Sequence, residues 1–244
     1  MGKAIKNAIF TLLLLTLSAS TALLAYLYFF ASDNKELTGE WSAELDMTGQ
    51  AAVTAFSWLQ DIEAVSLSLE DVESYMQDLT IRLDLTLEQT ARGEGRFQCN
   101  ILPESYDACN QAAYEAFAAA FQELLAERLS MAGYTGSTDR ESMEALVAET
   151  FGMSTVSYLM SYGPALLPAL EDLQKGYGGS GSYEASEGIL TRAFEDGGIV
   201  TTKMEYYIQK DSNLILSGEI GSDPNGLLED YYPVIYALMQ PSNQ

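Results

Sequence analysis

The sequence predicts an α+β chain: an N-terminal transmembrane helix, then an eight-stranded antiparallel barrel interrupted by a helical insertion. Three observations carry that expectation. Ala8 to Ala31 is apolar apart from small hydroxyl residues, and no charge interrupts it. Period-two alternation of apolar and polar residues recurs in two separate runs of short segments joined by turn signals. Between the runs the apolar spacing changes to three- and four-residue steps, which is helical. The expected divisions are a tail at 1–7, an anchor at 8–31 and a linker at 32–36. Strands one to three follow at 37–103, the insertion at 104–176, strands four to eight at 177–240, and a tail at 241–244.

The 24 residues from Ala8 to Ala31 make a helix of roughly 36 Å at about 1.5 Å per residue, enough to cross a bilayer core with some tilt. Lys3 and Lys6 precede this stretch and every Asp and Glu follows it. The positive-inside rule then places the N-terminus in the cytoplasm and the remainder outside, as a single-pass protein of the cell membrane. Tyr26 and Tyr28 suit the interfacial aromatic belt. A cleaved signal peptide is the competing reading. Cutting at Ser18-Ala19-Ser20 leaves Ala22 to Phe30 as an apolar new terminus, and Phe29 and Phe30 put bulk where a peptidase needs small side chains.

Of the 12 basic residues two precede the anchor, so the part beyond it carries 10 against 35 acidic side chains, a net charge of −25. Such a surface repels nucleic acid and anionic headgroups and attracts cations or a basic partner. The acid is spread along the chain, as a solvated surface also requires. Histidine is absent, which removes the commonest general base and zinc ligand; no metal and no cofactor are expected. Cys99 and Cys109 are the only cysteines. They form a candidate disulfide closing a loop of about ten residues, or Cys99, alternating with Phe97 and Ile101, is a buried thiol.

The first strand is Trp41, Ala43, Leu45 and Met47 interleaved with Glu40, Ser42, Glu44 and Asp46. A short helix follows over Ala51 to Asp61, then an acidic stretch at Glu63 to Asp78 whose pattern fits no single element. Leu79, Ile81, Leu83, Leu85 and Leu87 alternate with polar residues, and Ala91-Arg92-Gly93 turns the chain into Arg96 to Leu102. Helical spacing then runs from Ser105 to Ala132 with Gly133 as its stop. It resumes from Asp139 to Phe151 before Gly152, from Ser154 to Gly163, and from Ala165 to Lys175. Gly176 to Ser182 reads as a flexible joint. Tyr183 to Ser186, Ile189 to Phe194, Ile199 to Gln209, Leu214 to Glu219 and Tyr232 to Met239 complete the strands, with Glu187-Gly188 and Glu195 to Gly198 as turns. A short helix is the alternative for the last, and Pro233 confines it to an edge or first position if it is a strand. Eight strands with short connections suit an up-and-down meander that closes on itself.

At the first strand, Leu37-Thr38-Gly39-Glu40-Trp41 is similar to the Gly-x-Trp signature that opens lipocalin-like barrels. The chain also resembles lipocalin-like, membrane-tethered, acidic extracytoplasmic proteins from the envelopes of Gram-positive anaerobic bacteria. The resemblance covers 37–103 and 177–240 and excludes the insertion. It implies that Trp41 packs across the closed end and that the barrel interior takes a ligand. The candidate ligand-binding residues there are Trp41, Leu83, Leu85, Phe97, Tyr183 and Tyr206.

The remaining motifs have simpler readings. The tyrosines at 183, 206, 207, 231, 232 and 236 suit both ligand contact and strand propensity. Ser32-Asp33-Asn34-Lys35 spells a Ser-x-x-Lys box but lacks a Lys-Thr-Gly partner. Asp223, Asn225, Glu229 and Asp230 lack the spacing of a calcium loop. The alanine-rich stretch from Ala112 to Ala126 suits close helix packing. The expectation is therefore a non-enzymatic binding or interaction protein, whose partner is a basic or apolar ligand or an envelope protein. An envelope hydrolase using paired carboxylates and a structural partner of another membrane protein are the alternatives.

Overall fold

The structure, a computed structural model, describes residues 37–60, 68–196, 198–219 and 233–239. The expected anchor at 8–31, its flanks, the Ser32–Lys35 box, the acidic turn at 223–230, Tyr231, Tyr232 and the tail at 241–244 lie outside these residues. Among the described residues no helix is long and apolar enough to cross a membrane.

In chain order the elements are β1 (Gly39–Asp46), α1 (Thr48–Gln60), α2 (Leu69–Tyr75), β2 (Thr80–Ala91), β3 (Glu94–Ile101), α3 (Pro103–Met131), α4 (Arg140–Phe151), α5 (Thr155–Tyr162), α6 (Leu170–Tyr177), β4 (Gly179–Ser186), β5 (Ile189–Asp196), β6 (Ile199–Lys210), β7 (Asn213–Glu219) and β8 (Val234–Leu238). The strands form a closed barrel in sequence order, every neighbour antiparallel, with β8 returning to β1 at Trp41–Leu238 and Ser42–Ala237. The expected eight-stranded antiparallel barrel with helices is thus present. Three details differ from the sequence reading. The last helix of the insertion starts at Leu170, and residues 165–169, expected in it, lie outside the helix. A capping box between Ser68 and Asp71 starts α2 inside the acidic stretch of unassigned pattern. The glycine joint is shorter than expected, because Gly179 to Ser182 already belong to β4 and pair with β3.

Local chemistry explains the turns. Glu187 and Gly188 both take positive φ, 52° and 80°, as the mirror-image turn of a tight hairpin requires. Asp139 and Ser154 cap α4 and α5 by accepting from backbone N–H groups of Ser142 and Ser157, and Gly152 ends α4 in the left-handed region. Gly95 has a different role. A Cβ there would stand 2.6 Å from the Tyr183 ring and closer still to the Glu88 carbonyl, so only glycine lets that ring lie across β3.

One hydrophobic core runs through barrel and helices. Ile81, Leu83, Leu85 and Leu87 point inward from β2, and Met47, Ala51, Leu59 and Val72 continue the core into α1 and α2. Each such side chain contributes about 1.5–3 kcal/mol by leaving water. From α3, Cys109, Ala113, Phe117 and Leu124 join it, with Leu159 and Leu173 from the later helices and Leu166 from the connection between them. Polar ties fix the insertion. Tyr106 and Tyr114 donate to the carbonyls of Pro168 and Pro164. Gln174 bonds both backbone groups of Ile101, anchoring α6 where β3 ends. Buried Gln122 and Thr155 both donate to Glu144, joining α3, α4 and α5.

Candidate functional site

The barrel interior is lined by alternate residues of each strand. Trp41, Leu83, Leu85, Phe97 and Tyr183 all point inward and are buried, none more than 4% exposed. Trp41 sits where the chain enters the barrel, paired with Leu85 and Leu238, and its indole N–H donates to the Leu37 carbonyl at 3.0 Å. The described interior positions are thus occupied by packed side chains.

Within this apolar lining lies a polar group that sequence reasoning missed. Arg192 on β5 donates through Nε and Nη2 to the two carboxylate oxygens of Glu205 on β6, both at 2.7 Å. The two side chains are 5% and 1% exposed. The guanidinium also lies against a pair of aromatic rings packed edge to face, its Cζ 5.5 Å from the Phe97 centroid and 5.3 Å from that of Phe194. Its Nη1 is buried without a hydrogen-bond partner among the described residues. Burial is the largest influence and opposes the charge of Arg192, but Glu205, Cys99 and Tyr236 together outweigh it, so the guanidinium is held ionised. The signal was legible: Arg192 occupies the inward parity of β5 between Leu190 and Phe194, and a charge there demands a counter-charge on the next strand.

Cys99 and Tyr236 adjoin the pair. Burial pushes the Cys99 thiol up, while Arg192 and a hydrogen bond with Tyr236 pull less strongly the other way. Burial likewise raises the Tyr236 phenol well above its ordinary range, with Cys99 adding to it. Cys109, on α3, is pushed up to about 11 by burial and by Asp46. Both cysteines are free and buried, so the candidate Cys99–Cys109 disulfide is not formed. Cys99 faces the barrel interior while Cys109 belongs to the helix that follows β3 in the chain and packs on β2, and each fills space as a protonated thiol.

Tyr206 corrects the site as read from sequence. It points away from the interior and is 52% exposed. Most of β6 is inverted relative to its polarity: Lys203, Glu205 and Gln209 take the inward parity with Tyr207, whereas Met204, Tyr206 and Ile208 face out. The inward polar groups have partners there, Glu205 in Arg192 and Lys203 in the Gly176 carbonyl at 2.9 Å. Pairing with β5, which sets Lys203 opposite Arg192, holds this register.

The inversion leaves an uncharged outer face. Ile189 pairs with Tyr206 and Thr191 with Met204, while Ile208, Ile215 and Ile235 form a row across β6, β7 and β8. Between Glu195 at one end and Lys210 at the other, no residue of β5 to β8 whose side chain is described presents a charge outward. The opposite side of the barrel carries Glu40, Glu44, Arg82, Asp84 and Glu88 on its exterior. A groove of about 650 Å³ lies between α1 and the start of β8, lined by Glu44, Asp46, Val53 and Pro233 among others. Comparison with protein-family models, curated proteins and solved structures found no match to this chain.

Proposed function

We propose that this chain is a membrane-tethered, extracytoplasmic interaction protein that works without catalysis, through a lipocalin-like barrel whose contact surface is the outside of β5 to β8. The observation that carries the reading is the inverted polarity of β6. Contiguous exposed apolar groups on an otherwise charged protein mark a contact surface; Met204, Tyr206, Ile208 and Ile235 are each 40% or more exposed. The packed lining around Trp41, Leu83, Leu85 and Phe97 supports stability as the role of the interior, in place of ligand carriage. The apolar stretch at 8–31 and its flanking lysines support the tether and the outside location.

Oxidative footprinting with a membrane-impermeant reagent tests location and contact together. Met131, on the insertion and 74% exposed, and Met204, 40% exposed, are the two reporters. In intact cells Met131 is expected to be oxidised, and Met204 to be oxidised far less relative to it than in the purified full chain. Met131 modified only after lysis overturns the outside location. An unchanged Met204-to-Met131 ratio overturns the contact surface. Turnover of an envelope glycan or peptide by the purified chain overturns the non-enzymatic reading.

A further inference from the structure

The helices carry a second surface, distinct from the outer sheet. Five aromatic rings from four helices run in continuous contact: Trp58 of α1 with Phe121 of α3 at 6.1 Å, Phe121 with Tyr158 of α5 at 6.3 Å, and Tyr158 with both Phe151 of α4 at 4.4 Å and Tyr162 at 5.3 Å. The ribbon starts half-buried at Trp58, which packs edge-on against the core ring of Phe117. It emerges at Phe151 and Tyr162, 47% and 65% exposed. Helices bury aromatic rings by default, so two exposed rings that extend a buried row are unspent contact area.

The charge of the segment that carries most of the ribbon selects the occupant. From Pro103 to Gly178 eleven carboxylates face three cationic side chains, a net charge of −8, and Glu149 lies in the same final turn of α4 as Phe151. Aromatic faces attract cations through their quadrupole, and surrounding acid raises the local concentration of such a ligand. We propose that the ribbon ending in Phe151 and Tyr162 docks a basic polypeptide segment, its arginine or lysine side chains laid against the rings and neutralised by the neighbouring carboxylates.

The test uses the purified full chain in detergent and a short peptide of alternating arginine and glycine, followed by Trp58 fluorescence and by calorimetry. Phe151→Leu with Tyr162→Leu keeps every charge and removes two ring faces. Binding is expected to weaken about five- to tenfold, while Tyr162→Phe alone retains most of it. Equal binding by the double variant and the parent overturns the proposal, since diffuse charge then accounts for the affinity. Binding of a neutral oligosaccharide in place of the peptide also overturns it, assigning the rings to sugar. Both positions are exposed, and an unchanged circular dichroism spectrum verifies that the variants are folded.

Discussion

Replacing Glu205 by leucine removes the counter-ion of a guanidinium that cannot reach water. In the parent, Nε and Nη2 of Arg192 spend their protons on Glu205 at 2.7 Å and Nη1 is already without a partner. In Glu205→Leu the cation stays in the barrel without a counter-charge, beside the Phe97 and Phe194 rings and the Cys99 and Tyr236 side chains. Breaking a buried pair in this way costs about 3–5 kcal/mol, a large share of the roughly 5–15 kcal/mol that holds a domain folded. For a domain of this size the thermal midpoint should fall by roughly 6–20 °C. Arg192→Met combined with Glu205→Leu removes the charge as well as its partner and should return stability to the parent value or above it by about 1–4 kcal/mol. Thermal and urea unfolding of the full chain in detergent, followed by near-ultraviolet circular dichroism of Trp41, reads both variants. A loss below about 1 kcal/mol for the single variant, or a double variant no better than the single, would refute the buried, mutually dependent pair.

The outer and inner faces of β6 should respond oppositely: Met204→Lys and Ile208→Lys are expected to shift stability by no more than about 0.5 kcal/mol, and unfolding of either in the same assay would return that face to the core. Gly95→Ala drives a methyl group against the Tyr183 ring and the Glu88 carbonyl and should cost about 1–3 kcal/mol in urea titration; an unchanged midpoint counts against the close approach. Thiol titration of the chain unfolded without reductant should find both cysteines free, and a zero count would restore the disulfide. Because the Cys109 thiol moves from 9.0 to about 11 on folding, the native state holds that proton more tightly. Its contribution is therefore complete below pH 9.0 and lost as pH rises toward about 11, which stability measured across that interval checks, with Cys109→Ala flattening the slope.

Most of the architecture was legible because it is local. The leucines of β2 alternate without exception, Asp139, Gly152 and Ser154 punctuate the helices, and Glu187-Gly188 dictates its own hairpin. The face of β6 was not legible from its own residues, since Met204, Tyr206 and Ile208 have the composition of an inward row. What decides it is non-local: Arg192 belongs to the inward row of another strand, and Glu205, not the isoleucine side, supplies the counter-charge it needs. Tyr206 was misplaced for that reason. The aromatic ribbon was hidden differently, since its rings come from α1, α3, α4 and α5 and meet only when the insertion folds. Cys99 and Cys109, near in sequence, are divided by the boundary between β3 and α3.

The seam between β1 and β8 has a consequence for how this molecule is made. Its two halves meet across nearly the full length of the domain, at Trp41–Leu238 and Ser42–Ala237, so the first strand waits unpaired on one side until the last has been synthesised. During that interval β1 and β7 are open edges carrying unsatisfied amides, the state most exposed to misassociation. A closure of such long range is slow. Cells producing this chain therefore face their greatest demand for a chaperone late, just before the final strand arrives.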